Sequence, residues 1–90
     1  MRTYEIALVL KDDEKVNENL EKIKKFLAEN NVKILEENLW GRRELAYQIK
    51  HNKTGFYVIL KAEIDPSAIE SLNKNFLITD SILRHLFVRI

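Results

Sequence analysis

Residues 45–66 read LAYQIK (45–50), HNKTG (51–55), FYVILKAEI (56–64) and DP (65–66), and this stretch decides the fold. Leu45, Tyr47 and Ile49 alternate with polar or small neighbours, and Phe56, Val58, Leu60, Ala62 and Ile64 alternate with Tyr57, Ile59, Lys61 and Glu63. Successive strand residues point to opposite faces of a sheet, so a period of two marks a half-buried strand. The run Lys50–Gly55 between them is a turn, and the two strands make a long antiparallel hairpin. Asp65-Pro66 closes the hairpin and opens a helix: an N-cap carboxylate is followed by proline at the first helical position, where no backbone N–H is needed.

Working outward, the extended pattern runs back to Val32. Its phase changes on the way, because Val32 and Ile34 share one face while Leu45, Tyr47 and Ile49 share the opposite parity. One extra residue has to be absorbed, and Gly41 is the natural place for a bulge. Before Asn30-Asn31, a plausible helix stop, Val16, Leu20, Ile23 and Leu27 recur at helical spacing with Phe26 beside them, over about four turns. Asp12 or Asp13 is the expected cap of that helix. Tyr4–Leu10 is a first strand with Tyr4, Ile6, Leu8 and Leu10 on one side. Downstream, Ile69, Leu72 and Phe76 form the stripe of a second helix, Asp80-Ser81 breaks it, and Ile82–Ile90 is a last strand.

The order is β-α-β-β-α-β over residues 1–90, expected as one α+β domain of the ferredoxin-like split βαβ class. Right-handed crossovers place both helices on one face of a four-stranded antiparallel sheet with strand order 4-1-3-2. The other face should then be polar. It is not wholly so: with Ile6, Leu8, Phe56, Val58 and Leu60 toward the helices, Val9, Tyr57 and Ile59 fall outside. The last strand is apolar on both parities, with Ile82, Leu86, Val88 and Ile90 on one and Leu83 and Phe87 on the other. A contiguous apolar patch of that kind marks a binding surface.

The net charge of +1 conceals an uneven distribution. Residues 1–41 carry seven basic and nine acidic side chains, whereas residues 42–61 carry five basic and one acidic. Such a local excess is what a polyanion feels, since charges act over roughly 8 Å at physiological salt. Aromatic residues interleave with these cations: Tyr4 follows Arg2, Trp40 precedes Arg42-Arg43, and Tyr47 precedes Lys50 and Lys53. Cations neutralise phosphates and rings stack on bases or fill a protein pocket. Arg42 and Arg43, adjacent on a strand, give one cation to each face. Tyr47 and Phe56 read as core residues.

Catalytic and metal-binding classes find little support. Cysteine is absent, and the two histidines, His51 and His85, lie in different elements without ligand spacing. His51 reads as a solvated turn residue. Glu36 and Glu37 point to opposite faces of a strand, so they cannot work as a carboxylate pair. Two glycines, Gly41 and Gly55, do not make a phosphate-cradling loop, which disfavours the topologically similar acylphosphatases. No apolar run approaches a membrane span, and the N-terminal residues lack a signal-peptide layout. An RNA-recognition motif is also disfavoured, because Leu60 occupies an aromatic position of its third-strand signature and Tyr4 sits at the wrong end of the first strand.

Four segments carry a family resemblance. Met1-Arg2-Thr3-Tyr4-Glu5, Trp40-Gly41-Arg42-Arg43-Glu44-Leu45-Ala46-Tyr47-Gln48-Ile49, Gly55-x-Tyr57 and Ile82-Leu83-Arg84-His85-Leu86-x-Val88 resemble, in order, the small-subunit ribosomal protein S-six family. Many members have proline where this chain has Gln48, a difference of local edge geometry. The resemblance implies a non-catalytic cytoplasmic ribosomal protein that binds small-subunit rRNA together with ribosomal protein S-eighteen, without a cofactor or metal. The cations expected to contact RNA are Arg2, Arg42, Arg43, Lys50, Lys53 and Arg84; the expected protein contacts are Trp40, Tyr57 and Ile59. The reading from another class is a stand-alone ferredoxin-like module that homodimerises through its open sheet face.

Overall fold

The computed structural model describes residues 2–90. Strand β1 spans Arg2–Lys11, helix α1 Val16–Glu29, strand β2 Lys33–Ile49, strand β3 Asn52–Ile64, helix α2 Ile69–Ile78 and strand β4 Ile82–Arg89. The strands lie in the order β2-β3-β1-β4, each antiparallel to its neighbours. This is the ferredoxin-like split βαβ fold in the expected strand order, with β2 and β4 at the edges.

Register explains the core. Ile6 pairs with Leu60 and Leu8 with Val58, so alternation on the two central strands brings their apolar side chains onto one face. Leu20, Ile23 and Leu27 of α1 and Leu72 and Phe76 of α2 pack over them, and Phe56 joins from the margin. Each fully buried side chain of this size contributes roughly 1.5–3 kcal/mol. An exposed ion pair such as Lys22–Glu18 or Lys74–Glu70 contributes about 0–1 kcal/mol. Packing, not surface charge, holds the fold.

The helix ends follow the local chemistry, with one correction. Asp65 accepts hydrogen bonds from the Ser67 backbone N–H at 3.0 Å and from its hydroxyl at 2.9 Å, capping a 3-10 turn at Pro66–Ala68 that leads into α2. These bonds hold the Asp65 carboxyl below its usual range. Asn31 takes a φ of 63° after α1, the left-handed stop that asparagine tolerates. Neither Asp12 nor Asp13 is the N-cap of α1, which starts two or three residues later than expected, after Lys15. Asp13 instead accepts from the Lys15 N–H at 2.9 Å and closes the preceding turn. Asp12 is drawn to Arg42.

Strand β2 holds more irregularity than its alternation implies. Its register against β3 slips by one residue at Leu35 and one at Trp40, and by three between Glu44 and Ile49. A hydrophobic pattern reports only whether the total offset is odd, so one bulge at Gly41 accounts for the parity but not for the number of slips. Gly41 does sit at one of them, with a φ of 84° that a side chain would strain. Bulges twist an edge strand and make it a poor template for another chain.

The hairpin turn is tighter than expected. Ile49 pairs with Asn52, leaving Lys50 and His51 as a two-residue loop with φ of 49° and 66°. Two positive φ angles are the mark of a type I′ turn, which suits the twist of the flanking strands. For non-glycine residues this conformation costs roughly 1–2 kcal/mol each. The Lys50 ammonium donates to the Ile82 carbonyl at 3.1 Å, and the Asn52 amide donates to the Lys50 carbonyl at 2.9 Å; both offset that strain.

Gly55 consequently belongs to β3 and not to the turn. It is buried, and a Cβ there would overlap Val9 Cγ1. Gly55→Ala is expected to destabilise the fold by about 1–3 kcal/mol. In urea unfolding, Val9→Ala combined with Gly55→Ala should lose clearly less than the two single losses added together. Strict additivity would mean that the close approach to Val9 is not the constraint.

Candidate nucleic-acid interface

The open face is assembled by the same register that builds the core. Ala7 lies between Ile59 and Leu86, and Val9 between Tyr57 and Arg84. Tyr57 and Ile59, two of the expected protein contacts, therefore share a surface with Ala7, Val9, Leu86 and Val88. Leu86 is 59% and Val88 45% exposed, and Ala7, Val9, Tyr57, Arg84 and Leu86 border a shallow hollow of about 270 Å³. Trp40 stands at the margin of this surface: it is exposed at the β2 bulge, next to Gly41, whose strand partner is Tyr57.

Leu86 and Val88 escaped the sequence reading for a definite reason. Leu10 pairs with Ile82 while Val9 pairs with Arg84, so Leu83 is a bulged residue and parity reverses beyond it. Ile82 enters the core, His85 and Phe87 follow it toward the helices, and Leu86 and Val88 turn outward. The expected grouping of Ile82 with Leu86, Val88 and Ile90 on one face is thereby corrected. No residue type at Leu83 announces the bulge.

Five of the six expected cationic contacts gather at one end of the sheet. Strand β1 ends at Lys11, opposite Gly55, so the β2–β3 hairpin projects past it and reaches across to the start of β4. Lys50 bonds the Ile82 carbonyl there, and Arg84 lies 3.5 Å from the Tyr47 hydroxyl. Arg42 and Lys53 line a groove along the hairpin with Tyr47, and Arg43 pairs opposite Gly55. Tyr47 is thus not a core residue; it is 66% exposed, because the hairpin has outrun the helices that would cover it. Arg2 stands apart, opposite Ile64, roughly 30 Å away at about 3.3 Å per strand residue.

Electrostatic engagement separates these cations further. Arg42 Nε is 2.9 Å from the Asp12 carboxylate, and Lys11, the last residue of β1, is 2.6 Å from Asp80, which holds the Asp80 carboxyl below its usual range. Among the described residues, Arg2, Arg43, Lys50, Lys53 and Arg84 have no carboxylate within ion-pair distance. On the helix side Lys24 is 2.8 Å from Glu37 and 3.0 Å from Glu21. These two partners, Glu37 foremost, keep its ammonium protonated to higher pH. Glu5, Glu36 and Glu63 lie on the open face by register and Glu44 lines the hairpin groove, so the hairpin end is distinguished by four cations without an ion pair among the described residues, Arg43, Lys50, Lys53 and Arg84.

His85 packs beneath this end. Its ring meets Phe76 and Phe87 edge-on, at 5.4 and 5.8 Å between centroids, and Nε2 lies against the Asn73 amide oxygen. Burial lowers its pKa from the ordinary 6.5. No group of three or more His, Asp or Glu side chains among the described residues could hold a metal ion. His51 is exposed at the turn.

An α+β, ferredoxin-like protein with a partly apolar open sheet face and a largely unpaired cationic end is what this geometry defines. The sequence pattern of the family described as Ribosomal protein S6 matches residues 3–89, and the chain belongs to that family. It is 39% identical to the small ribosomal subunit protein bS6 of Desulforudis audaxviator, over 99% of this chain and 98% of the relative. It is 35% identical to that of Desulforamulus reducens, over 99% and 97%. The crystal structure of 30S ribosomal protein S6 from Thermotoga maritima superposes with a TM-score of 0.84 at 29% identity, covering 99% of this chain and 87% of that one.

His85 makes the stability of this end pH-dependent. Its folded-state pKa lies below the unfolded value, so the unfolded chain binds the extra proton and stability rises with pH through this range. Stability is fully present above the ordinary value of 6.5 and declines as pH falls toward the lowered one. Urea unfolding at pH 7.5 and about pH 5.5 should show a loss for the native chain, and a smaller loss for His85→Gln. The carboxylates of Asp65 and Asp80 act lower, around and below their ordinary 3.8, and do not obscure the comparison. An equal pH dependence in the variant would remove His85 as the cause.

Proposed function

We propose that this chain acts as one folded, non-catalytic constituent of the small ribosomal subunit in the cytoplasm, binding small-subunit rRNA jointly with ribosomal protein S-eighteen. The observation that carries this reading is the presence, on one sheet, of a cationic end where four of the five cations have no ion-pair partner among the described residues and of an apolar face without a helix over it. Arg43, Lys50, Lys53 and Arg84 are the cations ready to meet phosphates. Arg42 would first have to leave Asp12, and Arg2 would touch a different part of the RNA. Trp40, Tyr57 and Ile59, joined by Leu86 and Val88, form the surface for the protein partner.

The charge distribution fits a shared task. A net charge of +1 gives little long-range attraction to a polyanion, so binding alone should be weak and dominated by a few local contacts. Burying the apolar face against a partner would add a second cationic surface at a fixed geometry. Family membership supports the same reading, since the relatives named above are small-subunit proteins.

Filter binding of an rRNA fragment over a salt series, with and without the partner, tests the proposal. Affinity should be much higher with the partner and fall steeply with salt. Arg43→Ala and Lys53→Ala should each weaken joint binding and reduce the salt slope by about 1. Equal affinity with and without the partner would sink the cooperative model. A tight homodimer in sedimentation, unable to take the partner, would favour self-association through the open face instead.

A further inference from the structure

Between α2 and the start of β4 lies a hollow of about 260 Å³. Its walls are apolar: Phe76 and Leu77 come from α2, Ile82 and Leu83 from β4. Its rim is cationic or polar, with Lys50 arriving from the hairpin tip and Arg84 and His85 from β4. None of the lining residues is acidic. The nearby Asp80 carboxylate is tied to Lys11 at 2.6 Å. Leu77 is 69% exposed whereas Phe76, Ile82 and Leu83 are almost withdrawn from water, so Leu77 is the apolar wall that faces solvent.

We propose that this hollow receives a single unstacked nucleobase of an RNA strand, with the adjoining phosphate held between Lys50 and Arg84. The inference rests on the RNA-binding reading above and specifies how one nucleotide of a single-stranded stretch is held. Three features favour this occupant. A flat apolar ring carrying an anion matches walls of Phe76, Leu77 and Leu83 beneath two cations, whereas a phosphate alone has no use for the walls and an uncharged apolar side chain has no use for the cations. Lys50 already donates one hydrogen bond to Ile82 but has further N–H donors, and Arg84 makes only a long contact with Tyr47, so both retain donors for phosphate oxygens. β4 is an edge strand; at its start the Ile82 N–H is bonded to the Thr79 carbonyl and the Ile82 carbonyl to Lys50, so the outward backbone groups offered to the hydrogen-bonding edge of a base are those beyond Ile82.

The hollow is also continuous with the remaining cations. Arg84 lines both it and the open-face depression, and Tyr47, which meets Arg84, lines the hairpin groove with Arg42 and Lys53. A backbone following this path would present successive phosphates to the hairpin and one base to the hollow. Binding of unpaired nucleic acid commonly combines a cationic track with a site for a ring in this manner.

Chemical-shift mapping by NMR on the full chain tests the assignment, with adenosine 5′-monophosphate, adenosine, inorganic phosphate and a short oligoglutamate peptide in separate titrations. The nucleotide should saturably shift Leu77, Leu83 and His85 and bind more tightly than adenosine or phosphate. Leu77→Glu, at an exposed position and checked for an unchanged spectrum elsewhere, should weaken nucleotide binding about tenfold, the size of one charge-assisted contact; Leu77→Ala should weaken it less. Nucleotide shifts that match those of phosphate, that scatter over all cations, or that survive Leu77→Glu would overturn the proposal. So would a tighter response to the acidic peptide. Joint rRNA binding measured on Leu77→Glu keeps the two readings apart: partner-dependent, salt-sensitive binding that persists while nucleotide mapping fails leaves the proposed function standing and removes only the hollow.

Discussion

Ile6, Leu8 and Leu10 of β1 and Val58, Leu60, Ala62 and Ile64 of β3 are almost entirely withdrawn from water beneath Leu27, Leu72 and Phe76. That one-sided burial is the constraint on which the rest of the molecule depends. Two helices of 14 and 10 residues suffice to cover the middle of the sheet and no more. The opposite face has no such cover, yet Ala7, Val9, Tyr57, Ile59, Leu86 and Val88 are built into it by the same strands. In an isolated chain Val9 is already buried among its neighbours, but Leu86 and Val88 stay exposed and Ala7, Tyr57 and Ile59 partly so, leaving part of the burial free energy of this face unrealised. A partner that covers them recovers it, at about 25 cal/mol for each Å² of apolar surface removed from water.

The second consequence comes from unequal strand lengths. β2 and β3 have 17 and 13 residues, β1 and β4 only 10 and 8. The hairpin therefore has no strand beside its tip and no helix beneath it. Bulges let it curl, and its tip gains contacts only by reaching the start of β4 through Lys50 and Tyr47. Tight turning at Lys50 and His51, without glycine, is tolerable because these contacts and Asn52 hold the turn closed. The same excursion is what gathers Lys50, Lys53, Arg42, Arg43 and Arg84, which are up to 42 residues apart in sequence, at one end of the protein.

What was legible in the sequence divides along a physical line. Elements whose signal is local were readable: the alternation of β1 and β3, the stripe of Leu20, Ile23 and Leu27, the Asp65-Pro66 start, the Asn31 stop. Their order alone implied the sheet topology, because crossover handedness leaves few alternatives. Quantities that depend on pairing between strands were not readable. Alternation could not count the slips in β2, could not reveal the bulge at Leu83, and so could not say that Leu86 and Val88 face outward. Tyr47 looks like a core residue because its parity is right; only the projection of the hairpin beyond the helices makes it a surface one. For the candidate site, residue types were apparent but company was not. Nothing local in sequence indicates that Arg42 is claimed by Asp12, that Arg2 is distant from the others, or that Lys50 and Arg84 share a rim.

The distribution of ion pairs carries the argument one step further. Exposed pairs contribute little to stability, so their placement here is better understood by what it does to the field around the sheet. Glu37 and Glu21 share Lys24, Asp12 holds Arg42 and Asp80 holds Lys11, whereas among the described residues Arg43, Lys50, Lys53 and Arg84 keep no such partner at the hairpin end, although the chain as a whole is almost neutral. A charge distribution this uneven favours some orientations toward a polyanion over others. Under the function proposed above, charge biases the orientation while affinity depends on what covers the apolar face. A uniformly basic chain of the same size would bind more strongly alone but would not discriminate between orientations, and it would have less need of a partner to complete the surface.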